Sequence, residues 1–310
     1  MAMLSETFRK RSASRFARSK RLARIDYKWG YLMVAPLLAG LAVFFIWPVF
    51  RTFYFSMTDW GDFGSYVWSG GDNYRRLVRD PAVYRAFGHT FFYVAIYIPV
   101  LVALSTFLAV LLNKGVRGSG VYRTLYFLPA VLMPAAVGLA WRWLLNGEFG
   151  LVNTLLKLVG IHGPGWLTEG RTALPAIVLV AVWSMVGFQA MILLSGLQGI
   201  PSAYYEAARQ EGAGGATLFR RITLPLLTPT LFFVSVTALI QAFQVFDLIY
   251  MMIGQVAIDH ADTVVYLFYK QAFQLGAKGY ASAIVTALFA VILAITAIQL
   301  RLQKRWVHYD

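Results

Sequence analysis

Polar side chains occur at regular spacing inside two apolar stretches in the second half of the chain. Gln241, Gln244 and Asp247 follow one another at intervals of three, and Gln189 lies in the other stretch with Trp183 about two turns before it. Residues three apart on a helix share one slowly rotating stripe. Amide and carboxylate groups beside aromatic faces are suited to binding a sugar-like solute, so these residues are a candidate solute pathway. The alternative is that the glutamines form hydrogen bonds between neighbouring helices.

The sequence lacks the residue patterns of an enzyme or a metal site. It contains no cysteine, which excludes disulfides, thiolate zinc sites and a cysteine nucleophile. The histidines are scattered without metal-ligand spacing, at His89, His162, His260 and His308. Neither a Gly-x-x-x-x-Gly-Lys-Ser/Thr phosphate loop nor a serine nucleophile elbow occurs. We therefore expect no catalytic residue, no metal and no cofactor bound directly.

The composition indicates a membrane protein. Hydrophobic residues make up 59% of the 310 residues and charged residues only 14%, whereas soluble domains carry about 25% charged residues. The net charge of +14 could indicate a nucleic-acid partner. However, the basic residues flank apolar runs and form no separate stripe with aromatic residues. We therefore expect contact with membrane lipid and none with nucleic acid.

Six stretches are long and apolar enough to cross a bilayer, which requires about 20 residues per helix. They lie at about 30–50, 86–112, 123–145, 173–195, 226–253 and 281–300. Several contain proline, including Pro99, Pro129 and Pro134. Membrane helices tolerate proline because neighbouring groups satisfy the freed carbonyls. The predicted fold class is therefore an all-α integral membrane protein with six transmembrane helices.

The distribution of Lys and Arg predicts the orientation of these helices. Eighteen of the 28 basic residues lie before the first span, after spans two and four, and in the C-terminal tail, against nine on the other side. Both termini of this multi-pass protein are therefore predicted to be cytoplasmic. The predicted domains are a basic tail at 1–28, a six-span transmembrane domain at 29–303 and a short tail at 304–310. The basic tail is expected to be disordered or to lie on anionic lipid.

A polar loop at about 199–225 separates spans four and five on the predicted cytoplasmic side. Pro201 and Ser202 predict the start of a short helix, with Ser202 as its cap. The helix is expected to end at Gly212, in a glycine-rich turn that allows backbone angles other residues resist. Small residues such as Ala207 would let this helix lie deep in a partner's cleft. The alternative is an ordinary surface helix.

The loop contains a pattern whose members are Glu206, Ala207, Ala208, Gly212, Phe219, Ile222, Leu224 and Pro225. It reads Glu-Ala-Ala, a glycine four residues after the second alanine, and a later Ile-x-Leu-Pro. This pattern resembles the EAA loop of ATP-binding-cassette (ABC) importer permeases. That family commonly has Asp before the glycine, and Glu211 keeps the negative charge. The resemblance implies that the loop forms a coupling helix that docks on an ATPase subunit.

Motifs elsewhere in the chain resemble one group within that family. They are Trp141-Arg142-Trp143 with Gly150 and Asn153, then Gln241, Phe243, Phe246 and Asp247, and finally Tyr266, Phe273, Gly279, Tyr280, Ala281 and Ala283. Together they resemble the six-span carbohydrate permeases of the maltose and glycerol-phosphate type. The turn at 253–259 departs from the Gly-Gly-Pro-rich turn of that group, and the large external insertion of the maltose permease is missing. The resemblance implies a permease for a sugar or sugar-like solute in a bacterial or archaeal plasma membrane.

The resemblance also implies a set of partners. They are a second, homologous permease in a heterodimer, two ABC ATPase subunits that use the ATP, and an extracellular or periplasmic solute-binding protein. Two rival functions remain open. An ion-coupled secondary transporter would usually show repeated halves and buried ionisable residues, for which only Arg142 and Asp247 are candidates. A membrane-bound scaffold would have no polar stripe in spans four and five.

Overall fold

The computed structural model of the chain describes residues 28–61, 64–115, 118–253 and 260–306, and most of these residues are helical. The chain divides into two units, the first of which ends at Phe55. The described part of the first unit is one helix, α1, Lys28–Phe55, with a π-helical turn at Ala42–Ile46. The predicted basic tail lies outside the described residues except for Lys28, as does the end of the chain from residue 307.

The second unit begins with a β-hairpin and a short helix. Strands β1 (Thr58–Trp60) and β2 (Tyr66–Trp68) pair antiparallel, and helix α2 (Asp72–Arg79) follows them. The side-chain amide of Asn73 donates hydrogen bonds of 3.0 Å and 2.8 Å to the carbonyls of Ser56 and Thr58. Two donors on one planar amide hold α2 against the strand. We call this end of the unit the hairpin end.

Three long helices and several shorter ones form the rest of the second unit. The long helices are α3 (Pro81–Asn113), α7 (Ala173–Gln198) and α13 (Lys278–Trp306). Between the first two lie α4 (Ser119–Val131), α5 (Pro134–Leu144) and α6 (Leu151–Leu158). After α7 come α8 (Ser202–Gln210), α9 (Gly215–Leu226), α10 (Thr228–Phe243), α11 (Asp247–Ile253) and α12 (Val264–Tyr269). π-helical turns lie within α9 at Phe219–Thr223 and directly after α12 at Lys270–Gln274.

Within the described residues, four helices, α1, α3, α7 and α13, are long and apolar enough to cross a membrane. The number rises to six if two bent pairs each count as one span: α4 with α5, bent by 97°, and α9 with α10, bent by 65°. The stretches predicted as spans at 123–145 and 226–253 are therefore not continuous helices. The first breaks at Leu132 and Met133, because the residue before a proline disfavours the helical conformation.

The break in the predicted span at 226–253 lies between α10 and α11 and contains no proline. Helix α10 ends at Phe243 and α11 begins at Asp247. In the gap, the carbonyl of Val245 accepts a 3.3 Å hydrogen bond from the Thr263 hydroxyl. A side chain distant in sequence thus satisfies a carbonyl that would otherwise lack a helical partner.

The centre of the second unit is formed by α3 and α7, which run side by side in the same direction. The Ser105 hydroxyl in α3 donates a 3.1 Å hydrogen bond to the Val186 carbonyl in α7. Buried apolar residues form one cluster at the hairpin end, including Ile177 and Phe243, and a second cluster that includes Leu193 and Leu227. We call the end of the second cluster, from which α8 leaves, the loop end. The two clusters give the bundle its two halves.

Candidate functional site

A cavity of about 280 Å³ lies where the two helix breaks meet. Pro129, Leu132 and Pro134 line it from the α4–α5 break, and Val245 and Phe246 line it from the α10–α11 break. At membrane depth, non-helical backbone is tolerated only where it is buried in protein or lines a cavity. The paired breaks are therefore the local structure that makes room for a ligand.

Close helix packing holds the two short helices together beside the cavity. A Cβ atom added to Gly138 in α5 would lie only 2.8 Å from the Cβ atom of Met251 in α11. This separation is shorter than any comfortable carbon–carbon contact, so the position requires a residue without a side chain. The two helices that follow the breaks thus form one packed wall.

Three polar residues predicted from the sequence line the cavity together. Gln241, Gln244 and Asp247 all contribute to its surface, and their side chains are exposed to it. The same cavity is lined by Tyr93 and Tyr97, whose rings stack with their centroids 5.4 Å apart and are only 2% and 3% exposed. The cavity therefore combines amide donors and acceptors, a carboxylate and aromatic surface, which is the chemistry needed to bind a polyhydroxylated solute.

Sequence reasoning did not identify the two tyrosines that line the cavity. Tyr93 and Tyr97 are four residues apart in one apolar stretch, a spacing that places both on one helix face. This spacing is the sequence signal that could have identified them. Ser184 also lines the cavity, but a lone serine in a helix carries no such signal. Its hydroxyl donates to the Val180 carbonyl at 2.9 Å, as serines within helices commonly do.

Trp183 and Gln189, the other two predicted pathway residues, lie outside the cavity lining. Trp183 is 39% exposed and contacts Trp141 edge to face, with ring centroids 5.3 Å apart. Gln189 is completely buried, and within the described part of the chain neither its amide nitrogen nor its amide oxygen has a hydrogen-bond partner. Among the described residues, Arg142 forms no ion pair with Asp247.

A hydrogen-bonded clamp fixes the cavity wall towards the hairpin end. The His89 Nδ1 atom lies 2.7 Å from Asp262 Oδ1 and 3.1 Å from the Asp262 carbonyl oxygen. Next to it, the backbone N–H of Val264 donates to the Thr90 hydroxyl at 3.1 Å. Together with the bond from Thr263 into the α10–α11 break, these contacts hold residues 262–264 against α3. Within the described ranges, no group of three His, Asp or Glu side chains is placed to hold a metal ion.

The polar loop forms a second feature, at the loop end. Helix α8 begins at Ser202, and Pro201 occupies the cap position without any capping side-chain hydrogen bond, so the predicted Ser202 cap is wrong. The helix ends in a Schellman motif: the N–H of Ala213 donates to the Ala208 carbonyl at 2.9 Å, and the N–H of Gly212 donates to the Arg209 carbonyl at 3.0 Å. Gly212 has φ of +80°, a conformation that glycine adopts without strain.

An open groove of about 590 Å³ runs between α8 and α9. The predicted coupling residues Ala207, Ala208, Ile222 and Pro225 line it, and Glu206 is exposed nearby. The remaining lining residues are Tyr204, Gln210, Glu211, Arg221 and Leu226. The groove floor is thus small and apolar, with charged residues beside it.

Two further predicted coupling residues face the bundle. Phe219 and Leu224 line a second groove, almost wholly apolar, with Pro99, Val102 and Phe107 of α3. The loop therefore has two faces, one that is open and one that is directed at the helices. Between them, the Tyr205 hydroxyl in α8 lies 3.1 Å from the Thr223 hydroxyl in α9.

Comparison with known proteins identifies close relatives over nearly the whole chain. A family model described as "Binding-protein-dependent transport system inner membrane component" matches residues 67–308. The chain is 33% identical over 298 residues to the probable ABC transporter permease protein YesP of Bacillus subtilis, covering 94% of this chain and 96% of that protein. It is 34% identical over 284 residues to the trehalose/maltose transport system permease protein MalF of Thermococcus litoralis, covering 90% and 95%.

A third relative is the sn-glycerol-3-phosphate transport system permease protein UgpA of Agrobacterium fabrum, 31% identical over 283 residues, covering 90% of this chain and 96% of that protein. Among solved structures, a bacterial ABC transporter involved in the import of the acidic polysaccharide alginate matches with a TM-score of 0.81 and 22% identity, covering 92% of this chain and 99% of that chain. The alginate transporter in complex with an alginate pentasaccharide-bound periplasmic protein matches with a TM-score of 0.81, covering 91% and 96%. At this identity, the structural likeness is evidence for a shared fold.

Proposed function

The chain belongs to the family of binding-protein-dependent transport system inner membrane components, and we propose that it is the permease subunit of an ATP-driven ABC importer for a sugar or sugar-like solute. The observation that carries the proposal is the cavity that Gln241, Gln244 and Asp247 line together with Tyr93 and Tyr97. Relatives named as trehalose/maltose and sn-glycerol-3-phosphate permeases support this solute class.

The cavity chemistry supports a small polyhydroxylated solute. Each glutamine amide offers two donors and an acceptor, and the Asp247 carboxylate accepts strong hydrogen bonds. Hydroxyl groups of a sugar can serve as donor and acceptor to all of these groups, while Tyr93 and Tyr97 supply an apolar wall. The volume of about 280 Å³ is at the lower limit of small-molecule sites, roughly 300–1,000 Å³. One sugar ring, rather than a long chain, is the occupant we propose for the cavity.

The loop supports a role in coupling to separate ATPase subunits. We assign the coupling to Glu206, Ala207, Ala208, Gly212, Phe219, Ile222, Leu224 and Pro225, with α8 inserted in a cleft of the ATPase. The Tyr205–Thr223 contact connects α8 to α9, and α9 leads through its 65° bend into α10. Helix α10 ends beside the cavity at Gln241 and Gln244. A shift of α8 driven by ATP binding would therefore reach the solute site along one continuous segment.

In the proposed membrane arrangement, each bent helix pair counts as one of six spans. With six spans in the domain at 29–303, both termini and α8 would lie in the cytoplasm. This orientation agrees with the distribution of Lys and Arg. Single cysteines at Ser202 and Ser69 test this arrangement in intact cells with an impermeant thiol reagent. We expect labelling at Ser69 only, and labelling at Ser202 from outside would reverse the orientation. Ser12, a further predicted cytoplasmic position, lies outside the described residues.

The proposed complex contains a second, homologous permease, two ATPase subunits and an external solute-binding protein. The alginate transporter complexed with a periplasmic protein supports the last of these partners. ATP is used only by the ATPase subunits in this proposal, and the permease binds no cofactor itself. Reconstitution of the complex in vesicles tests it: we expect sugar uptake that requires ATP and the binding protein. Uptake driven by an ion gradient alone would instead support a secondary transporter.

A further inference from the structure

Four aromatic rings form a contiguous group that starts at the cavity: three of them contact one another, and the fourth extends the group to one side. Phe246 lines the cavity, and its ring centroid lies 5.4 Å from that of Tyr250 and 5.2 Å from that of Tyr269. The Tyr250 ring lies 5.2 Å from Tyr269, whose ring in turn lies 5.6 Å from Phe273. We call Phe246, Tyr250, Tyr269 and Phe273 the aromatic row. Since Phe273 is 71% exposed, the row runs from the cavity wall to the protein surface.

Two stretches of the chain, 246–250 and 269–273, build the row. Phe246 comes from the α10–α11 break, Tyr250 from α11, and the other two from α12 and the π-helical turn after it. Tyr266, which is 4% exposed, packs behind the row with ring centroids 6.5 Å from Phe246 and 6.3 Å from Tyr269. π-helical turns frequently occur at functional sites, and this one carries Phe273 to the outer end of the row. The rings are therefore placed by converging elements and not by a single helix face.

The row offers both apolar faces and hydroxyl groups. The Tyr269 and Tyr250 hydroxyls lie 3.4 Å apart at its middle, and Tyr250 is 36% exposed. The hydrogen bond that the Tyr269 hydroxyl donates to Tyr250 raises the pKa of the Tyr269 hydroxyl above its ordinary value. A pyranose ring presents C–H groups on its face and hydroxyls at its rim. An aromatic face with a polar group at its edge matches both parts of such a ring.

The size of the cavity indicates why a second surface is needed. A volume of about 280 Å³ is small even for single-ligand sites, which run from roughly 300 to 1,000 Å³. A solute of several sugar rings must therefore continue outside the cavity, and the aromatic row is the surface that continues from Phe246. None of the four side chains carries a charge, which favours neutral rings.

We propose that the aromatic row is a second binding surface on which the further rings of a neutral oligosaccharide lie while one ring occupies the cavity. This inference rests on the proposed function and extends it, because it defines the solute as a chain of two or more pyranose rings. The row then acts as a guide between the external side and the cavity.

The test measures uptake as a function of sugar length in vesicles that contain the complete importer. The probes are neutral gluco- and galacto-oligosaccharides of one to four rings. We expect Tyr269→Ala and Phe273→Ala to lower uptake of the longer sugars by about tenfold, a change of the size expected for a lost ring contact, and to leave monosaccharide uptake within about twofold. Tyr269→Phe, which keeps the ring, should retain most of the uptake. Phe149→Ala, which removes a ring that is 61% exposed elsewhere, should have no length-dependent effect.

Three results would contradict the proposal that the aromatic row binds sugar. An equal loss for every sugar length, unchanged uptake in both alanine variants, or reduced recovery of the second permease would each show that the row does not bind sugar. The last result would assign the row to the contact between subunits. In all three cases the wild-type importer would still transport sugar. A wild-type complex that imports none of the probes would instead contradict the proposed function together with the row.

Discussion

The hydroxyl oxygens of Tyr205 and Thr223 lie 3.1 Å apart and join α8 to the π-helical turn of α9. Thr223 is buried, and its hydroxyl also lies 3.4 Å from the Leu218 carbonyl, to which it donates. The Tyr205 hydroxyl is therefore the donor to Thr223. In the proposed importer, this bond is the side-chain link between the helix that meets the ATPase and the segment that leads to the solute cavity.

Removal of this bond should weaken coupling without preventing assembly. A neutral hydrogen bond contributes about 0.5–1.5 kcal/mol, so Tyr205→Phe and Thr223→Val should each lower solute-stimulated ATP hydrolysis by up to about tenfold. The two changes should not add in the double variant, because they remove the same interaction. Tyr122→Phe is the matched control, since Tyr122 is 46% exposed on α4 and lies outside the groove between α8 and α9. Additive losses, or an equal effect at Tyr122, would contradict the assigned role of the bond.

Substitutions at Gly212 test whether coupling requires the left-handed backbone conformation of the turn after α8. A Cβ atom added there would meet nothing within 4 Å, but φ is +80°. The left-handed conformation costs most residues about 1–2 kcal/mol, whereas Asn adopts it more readily. We therefore expect Gly212→Val to reduce ATPase association or solute-stimulated hydrolysis sharply and Gly212→Asn to do so much less. Gly214, which has negative φ and open space around it, should accept Ala. Equal behaviour of the Val and Asn variants would argue against a conformational cause.

The polar residues of the cavity should affect transport and not assembly. Alanine at Gln241, Gln244 or Asp247 removes a hydrogen-bonding group worth about 0.5–3 kcal/mol to a bound solute. Solute-dependent transport should therefore fall several-fold to about a hundredfold, while the amount of complex recovered with the ATPase stays at the wild-type level. Asp247→Asn should restore part of the activity, because it keeps one acceptor. If the variants instead fail to assemble, these residues hold helices together; if all three transport normally, the cavity is not the solute site.

Gln189 provides a contrasting case among the predicted pathway residues. Its buried amide has no hydrogen-bond partner within the described residues, and an unsatisfied buried polar group costs about 1–3 kcal/mol. Replacement by leucine, of similar size, should therefore leave transport intact and keep or raise the thermal unfolding temperature of the purified permease. Reduced transport with unchanged stability would instead support the prediction that Gln189 lines the solute pathway.

Local signals predicted the loop better than the cavity. Pro201 and Gly212 determine where α8 starts and ends through their own backbone preferences, so the helix bounds could be read from the sequence. The spacing of Gln241, Gln244 and Asp247 predicted one shared stripe, and all three line the cavity although the helix breaks between Phe243 and Asp247. That spacing could not reveal Tyr93 and Tyr97, which lie on another helix.

The remaining differences arise from tertiary contacts. The α10–α11 break contains no proline and depends on Thr263, a residue distant in sequence. Similarly, the sequence shows that Gln189 is polar but not that its side of α7 faces the packed interior. The pairing of His89 with Asp262, 173 residues apart, leaves no signal in one sequence. Tertiary packing determines where a helix breaks and which of its sides is buried. A single sequence does not contain that information.

The central claim is that this chain is a permease whose α8 docks on an ABC ATPase. Its most direct test is the amount of ATPase subunit, identified by mass spectrometry through its phosphate-loop sequence, that co-purifies with the tagged chain from its native membrane. We expect the ATPase to be recovered in near-stoichiometric amount with the wild type and to be largely lost with Ala207→Trp, because a large side chain in the groove between α8 and α9 would block a close-packed contact. Ser65→Trp on the hairpin should retain it. Absence of any ATPase with the wild type, or full recovery with Ala207→Trp, would contradict the account.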